Sequence, residues 1–361
     1  MMDLKPLRVR IDQLDDQMLE LLAERARIVS DVAAVKRDSN QPFYQPERER
    51  QIIERLKERS NGRFPEDAVI AVFREVMSAC LALQKRLSVA FLGPQGSYSH
   101  LAARHLFGLA VDCHEGASLS GVVDMVRAKA SDFGVVPIEN STEGGVTTTI
   151  DSLIEGGVSI RKEFVLEVSH SLMSHANDLT LVERIYSHPQ ALAQCRMWLA
   201  RHVPQAQLVQ TASTSLGARQ AVDDPTGAAL GSALAAEIYG LRVLARRVQD
   251  GEGNATRFLV IGHEDAPRSG VDKTTIVFSV SDGVGALHQV LGAMADNKVN
   301  MTRIESRPSK QRAWDYVFVA DLEGHHDDGP VAAAIAVLKE RCPLVRVLGS
   351  YPRHEGPALI P

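Results

Sequence analysis

FGVVPIENSTEGGVTTTID, residues 133–151, passes from an apolar run (FGVVPI) through a polar turn (ENSTEGG) into a helical stretch. A β-like run that ends in a turn and continues as a helix is the repeating unit of an α/β sheet. The same order recurs as SVAFLG (88–93) into GPQGSYSH, ERIYS (183–187) into HPQALAQC, and QLVQTAS (207–213) into TSLGARQAV. Residues 88–265 are therefore expected to form an α/β domain, which closes at the Pro/Gly-containing linker VIGHEDAPRSG (260–270).

On the N-terminal side, residues 4–35 carry Leu7, Ile11, Leu14, Met18, Leu21, Leu22, Ile28, Val32 and Val35 at three-and-four spacing, which predicts one long amphipathic helix. Pro42 and Pro46 break the pattern. A second helix is expected from Glu47 to Arg59, stopped by Asn61-Gly62, and a third from Pro65 to Arg86. At ~1.5 Å per residue the first helix spans ~50 Å, more than the all-α segment 1–87 covers alone, so the spacing predicts that it packs on a second copy. On the C-terminal side, strand, helix, strand, strand, helix and strand follow in order from TTIVFSVSD to VRVLGSY, which is the ferredoxin-like βαββαβ pattern over residues 272–352. Residues 353–361 read as a loose tail.

Composition narrows the function. A chain of 361 residues that is 45% hydrophobic and 24% charged has room for two or three domains. Its formal net charge of -5 excludes a dedicated nucleic-acid binder, which displays a basic stripe. The longest apolar run, residues 331–338, is far shorter than the ~20 residues a bilayer span needs. MMDLKPLRVRIDQLDD has no apolar signal core, which predicts a cytoplasmic protein. Cys80, Cys113, Cys195 and Cys342 lack metal-ligand spacing, so reduced thiols and no metal are expected. No nucleotide or other cofactor signature stands out, and GEG (251–253) neither follows a strand nor opens a helix as a phosphate loop does. Small molecules and other protein chains are the expected partners.

Two groups of residues carry candidate chemistry. Arg25 and Lys36 differ by about 20° in azimuth and ~16 Å along the first helix, so they face the same way around a gap suited to a small anion. Arg8 lies ~25 Å from Arg25 and reaches such a gap only from a partner chain. Arg48 and Glu49 follow the proline break, and Gln84 lies near the end of the third helix. Each of these taken singly reads as a solvated charge on a bundle helix. In the α/β segment, turns at Ser97 and Ser99, at 139–142, at 187–190 and at 213–215 place hydroxyls and amides at helix starts, where anions or ordinary N-caps sit equally well.

The phrases LRVRID (7–12), LLAER (21–25), VAAVK (32–36), PERERQIIERL (46–56) and FREVMSACLALQ (73–84), in this order, resemble the all-helical chorismate mutase domain. The resemblance implies an intertwined dimer that rearranges chorismate to prephenate. Arg8 of the partner chain, Arg25 and Arg48 would hold carboxylates, Lys36 and Gln84 would donate to the ether oxygen, and Glu49 would accept from the ring hydroxyl. Gln45 and Cys80 stand where some relatives carry an acid and a hydroxyl.

FLGPQGSYS (91–99), GVVPIENSTEGGVTTTID (134–151), YSHPQALAQC (186–195) and GNATRF (253–258) are similar to the motifs of prephenate dehydratase. That resemblance implies two lobes like a periplasmic binding protein, with substrate at their junction and no cofactor. Thr256 would assist the departing hydroxyl, Arg257 would place a carboxylate or hold the loop, and Glu139, Asn140, Ser141, Ser187, His188, Gln190, Gln194 and Asn254 would line the cleft. GALH (285–288) and ESRP (305–308) resemble the ACT regulatory domain, which implies L-phenylalanine bound near Gly285, Ala286, Leu287, Glu305, Ser306, Arg307 and Pro308, with His288 in place of the usual valine. The whole chain, 1–87, 88–265 and 272–352, resembles the bifunctional chorismate mutase/prephenate dehydratases, feedback-inhibited enzymes of phenylalanine synthesis that form homodimers or larger homo-oligomers. Two other readings remain open at this point. One is an amino-acid sensor without turnover, and the other is a helical dimerisation module fused to a monofunctional dehydratase.

Overall fold

The computed structural model describes residues 4–38, 44–281, 283–308, 316–354, 356, 358 and 360. Contacts divide the chain into two compact units, Met1–Ser88 with Leu106–Asp112, and Val89–His105 with Cys113–Pro361.

The first unit is helical. The expected long helix is α1, Leu4–Asp38, followed by α2, Pro46–Ser60, and α3, Glu66–Gln84. Pro46 opens α2, where its missing N–H costs nothing, and Asn61 in the left-handed region closes it. Pro42 lies outside the described residues. α1 runs 35 residues, ~52 Å, without interruption. Ala33 is its one buried apolar residue among those described, while Leu7, Ile11, Leu14, Met18, Leu21 and Ile28 are all exposed.

The second unit holds three sheets. In the first, the order is β2 (Asp112–Gly116), β1 (Ser88–Leu92), β3 (Phe133–Asn140), β11 (Ala255–Gly262) and β5 (Ser159–Glu167), with the short β4 (Gly144–Gly145) on β3. β1 and β3 are parallel, and β11 runs antiparallel to both of its neighbours. Helices α4 (Tyr98–Phe107), α5 (Leu119–Arg127) and α6 (Thr147–Glu155) belong to this lobe. The second sheet has the order β10 (Arg242–Ala245), β6 (Ser171–Ser174), β9 (Gly227–Gly231), β7 (Arg184–Ser187) and β8 (Gln207–Gln210). Around it lie α7 (Pro189–Gln194), α8 (Arg196–His202), α9 (Thr214–Val222) and α10 (Ala233–Tyr239). Ser213 and Ser232 cap α9 and α10, accepting from Leu216 and Ala235 N–H.

The chain crosses between these two lobes twice, at 168–170 and 246–254, and the crossings hold each other. Val168 N–H donates to Asn254 C=O at 2.8 Å and Val248 N–H to His170 C=O at 2.9 Å.

The third sheet has the order β13 (Met301–Pro308), β14 (Tyr316–Glu323), β12 (Asp272–Ser279) and β15 (Val345–Pro352), antiparallel throughout. With α11 (Ala286–Asp296) and α12 (Gly329–Arg341) it completes the expected βαββαβ module. The two faces of this sheet have different neighbours. Ile276, Phe278, Ala320 and Leu322 pack on the module's own helices. Val277, Val319, Leu348 and Tyr351 join Val136, Ile138, Ile150 and Leu259 of the first lobe in one core.

Within the expected loose tail, two of the described residues are tied down. Arg353 N–H donates to Val271 C=O, and Ala358 bonds through its backbone to both Val165 and Glu167 beside β5. These are main-chain bonds, which polar composition does not reveal.

β15 approaches β5 most closely at Gly349. A Cβ there would come within 2.3 Å of the Ile160 carbonyl oxygen, against backbone that cannot move aside. Gly349→Ala is expected to destabilise the second unit by about 2–3 kcal/mol, read as a lowered urea midpoint at unchanged slope.

Candidate active site

At the junction of the two lobes lies a cavity of about 240 Å³. The first lobe contributes Tyr98, Asn140 and Thr256, the crossings contribute Val168, His170 and Asn254, and the second lobe contributes His188, Gln190, Ala191, Gln194, Ala212, Ser213 and Thr214. Of the sequence-derived candidates, the structure brings Asn140, His188, Gln190, Gln194, Asn254 and Thr256 together.

These side chains form one chain of hydrogen bonds whose direction is set by the backbone. Thr142 and Glu143 N–H both donate to Asn140 Oδ1, at 2.9 and 3.2 Å. The Asn140 amide nitrogen is thereby turned toward Thr256 Oγ1 at 2.8 Å and Asn254 Oδ1 at 3.0 Å. Asn254 then donates to Gln194 Oε1 at 3.0 Å, and the same oxygen lies 3.1 Å from His170 Nε2. An amide oxygen only accepts, so Nε2 carries the proton and Nδ1 presents a lone pair to the Tyr98 hydroxyl at 2.8 Å. At Thr256 the outcome is that the oxygen accepts from Asn140 and the hydroxyl proton remains to be donated into the cavity.

Burial disfavours the charged form of two of these groups. It lowers the His170 pKa and raises that of Tyr98 well above the ordinary tyrosine value. Among the described residues lining the cavity there is no arginine or lysine. Donors to an anion are therefore amides, hydroxyls and the start of α9, which Ser213 and Thr214 bring to the wall.

Four expected cleft residues face elsewhere. Thr256 and Arg257 are neighbours on β11 and point to opposite faces, as do Asn140 and Glu139 on β3. Arg257 is bound by Glu163 at 2.8 Å, Asp321 at 2.7 Å and the Tyr351 hydroxyl at 3.0 Å, all on the side away from the cavity. Glu139 lies 3.5 Å from Arg303 and 3.9 Å from Arg257. Ser187 is fully buried and donates to Leu230 C=O at 2.8 Å, tying β7 to β9. Ser141 donates to Gly253 C=O and accepts from Ala255 N–H, pinning the turn that carries Asn254. His188 both lines the cavity and caps α7, accepting from Gln190 N–H.

Tyr98, His170, Ser213 and Thr214 join the cavity in addition to the cleft residues that the resemblance implies. Tyr98 lies inside FLGPQGSYS, between Ser97 and Ser99, and Ser213 opens the 213–215 turn. His170 lies in a crossing segment with no motif around it, so no local pattern points to it.

In the helical unit, Arg25 and Lys36 are partly buried on α1, and burial lowers the Lys36 pKa. Arg25 Nη1 and Gln84 Oε1 are buried without a hydrogen-bond partner among the described residues. Such orphaned atoms cost about 1–3 kcal/mol each and mark a place where a polar ligand belongs. Cys80 is buried, Gln45 and Glu49 are half-buried, and Arg48 is exposed. Arg8 is exposed on the far part of α1, ~25 Å from Arg25 along the unbroken helix, so one chain alone does not assemble this set.

In the C-terminal module, strand alternation splits ESRP. Arg303, Glu305 and Arg307 register with Asp321, Val319 and Val317 on the face turned to the first lobe, whereas Ser306 and Pro308 are exposed on the other. Gly285, at φ 79°, opens α11 with Ala286 and Leu287 half-buried behind it, and His288 is exposed. Glu305 and Arg307 therefore belong to a different face from the one that Ser306 and Pro308 share.

Comparison with known proteins covers nearly the whole chain. Family models described as Chorismate mutase type II, Prephenate dehydratase and ACT domain match residues 7–85, 89–266 and 274–340. A bifunctional chorismate mutase/prephenate dehydratase of Aquifex aeolicus is 42% identical over 98% of this chain and 99% of its own length. The crystal structure of a prephenate dehydratase from Arthrobacter aurescens in complex with L-Phe is 36% identical, with TM-score 0.67 over 74% of this chain and 90% of that one. A structure titled as GqqA, a novel type of quorum quenching acylase, is 31% identical, with TM-score 0.69 over 74% of this chain and 98% of that one.

The turn that leads into α4, where Tyr98 begins the helix, is braced by a second histidine. His100 stacks on Phe91 and accepts from Gly96 N–H through Nδ1 at 3.1 Å, and burial together with nearby Arg104 lowers its pKa to about 4. The unfolded chain takes up this proton near pH 6.5 and the folded one near 4, so the stabilisation present above about 6.5 drains away as pH falls toward 4. Urea unfolding across this window is expected to show a steep loss in the wild type and a shallower one in His100→Gln.

Proposed function

The chain belongs to the bifunctional chorismate mutase/prephenate dehydratase family, and from that membership we propose that it rearranges chorismate to prephenate on the helical unit and converts prephenate to phenylpyruvate in the interlobe cavity, under feedback from L-phenylalanine. The observation that carries the dehydratase reading is the oriented Asn140–Thr256 pair. A solved structure titled as an acylase shares the scaffold, so the reaction is assigned from the site and the full-length family match, not from the fold.

In the dehydratase step the bond from the ring to its carboxylate breaks, its electron pair enters the ring, and the C–O bond at the opposite ring carbon breaks. The products are carbon dioxide, an aromatic ring and hydroxide. Hydroxide is a poor leaving group, and the Thr256 hydroxyl donates a hydrogen bond to it as the C–O bond breaks; threonine is too weak an acid to give the proton up, so hydroxide departs and takes its proton from solvent. Asn140 holds that oxygen in place, and Gln190, Gln194, Asn254 and the start of α9 orient the dianion. A lining without cations suits this chemistry, because carbon dioxide leaves without charge and no salt bridge must break to release it.

In the mutase step negative charge grows on the breaking ether oxygen, and preorganised donors suffice. Lys36 and Gln84 supply them, Arg25 and Arg48 hold carboxylates, Glu49 accepts from the hydroxyl, and Arg8 comes from the second chain of a homodimer. Support for the dimer is the uncovered apolar stripe of α1 together with the distance of Arg8 from Arg25. The effector reading places L-phenylalanine against Gly285–Leu287, Ser306 and Pro308. No helix among the described residues is long and apolar enough to cross a membrane, and we propose a cytoplasmic location. Working module limits are 1–87, 88–265 and 272–352.

Supplying chorismate, then prephenate, to the purified chain tests the proposal through loss of each and appearance of phenylpyruvate. Thr256→Ala is expected to lower phenylpyruvate formation from prephenate by about 10²–10³-fold and to spare chorismate consumption, and Lys36→Ala to do the reverse. A wild-type chain that consumes neither compound overturns the reading. Arg8→Ala and Lys36→Ala, each inactive as a mutase alone, are expected to recover about a quarter of wild-type turnover when refolded together, since one of two sites in each mixed dimer is intact. No recovery would reject the shared site.

A further inference from the structure

The rung Thr256–Asn140 faces the cavity, and the next rung of the same two strands, Arg257–Glu139, faces the C-terminal module. β13 reaches that reverse side with every second residue. Arg303 lies 3.5 Å from Glu139. Arg307, 7% exposed, lies 3.2 Å from Asp151 in the middle of α6. Glu305, paired with Arg303, sits over β4, where a Cβ on Gly145 would come within 2.7 Å of its Oε2. Gly145 and Gly144 pair with Glu139 and Asn140, and the turn between them supplies the two N–H groups that fix the Asn140 amide. The other face of β13, with Ile304, Ser306 and Pro308, is exposed.

We propose that Arg303 and Glu305 are positioning residues of the interlobe site: through Glu139 and the 140–145 turn they set the Asn140–Thr256 rung, and a ligand seated on the opposite face of β13 acts on turnover by shifting them. This rests on the dehydratase reading of the cavity and adds the route by which the module reaches it. The physical basis is that a strand moves as one body. A displacement of β13 by a molecule against Ser306 and Pro308 is felt at once by 303, 305 and 307, and their partners carry the residues that orient the Thr256 proton. The ligand must bind the two positions of the strand unequally, which is the requirement for any allosteric effector.

Full-length Arg303→Gln, Arg303→Lys and Gly145→Ala test this with prephenate turnover, L-phenylalanine titration and chorismate turnover as an internal control of folding. In Arg303→Gln, dehydratase kcat is expected to fall about tenfold with KM within about twofold, and Arg303→Lys to recover at least half of the loss. Gly145→Ala pushes only on a flexible carboxylate, so it folds, and the phenylalanine concentration for half-inhibition is expected to move by more than about threefold. If Arg303→Gln fails to fold, Gly145→Ala decides. Variants that keep kcat and the phenylalanine response within about twofold of wild type overturn the inference, as does an equal loss of both activities. A wild-type chain that leaves prephenate untouched rejects the dehydratase reading as well, which separates the two failures.

Discussion

A β-strand offers two faces, and on β3 and β11 both are occupied by different masters. The residues that point into the interlobe cavity sit next to residues that point into the C-terminal sheet, and the pleat of the paired strands fixes this at the 139–140 and 256–257 positions. Asn140 and Thr256 cannot shift without Glu139 and Arg257 shifting too. The reverse side is held firmly: Arg257 lies among Glu163, Asp321 and Tyr351, with Lys273 on the same Glu163 oxygen at 2.8 Å. Glu163 and Asp321 are each at most 2% exposed. Buried charges paired and hydrogen-bonded in this way add little net stability, but breaking one partner is costly, so they define one relative placement of sheet and sheet.

The helical unit works by the opposite principle. It leaves its main apolar face uncovered and tolerates orphaned polar atoms at Arg25 and Gln84. Both features are expensive in a chain taken singly; a second copy would cover the stripe, and an anion would meet the orphaned Arg25 Nη1 donor. Where the interlobe cavity is lined by amides, hydroxyls and a helix start, with no arginine or lysine among its described residues, the helical unit is rich in guanidinium groups.

Periodicity made the long helix, the α/β alternation and the βαββαβ order legible, because each rests on local spacing that survives folding. The six cavity residues gathered from ENS, HPQALAQ and GNAT were legible as motifs. Direction was not. Alternation alone requires that Thr256 and Arg257 part company, yet only the third sheet shows what covers the far side. The same holds for ESRP, whose four residues read as one motif and serve two faces. Tyr98 and His170 meet across 72 positions of chain, and no local pattern encodes that encounter. The anchoring of Ala358 beside β5 runs through backbone groups that every residue possesses, so composition could not announce it.

β11 lies between β3 and β5 in the sheet but follows both in the chain, with the whole second lobe in between. During synthesis the two outer strands leave the ribosome before the strand that separates them exists. The strands of the second lobe, β6 to β10, are all made before β11, so Thr256 and Asn140 are not both present in the nascent chain until β11 has been synthesised.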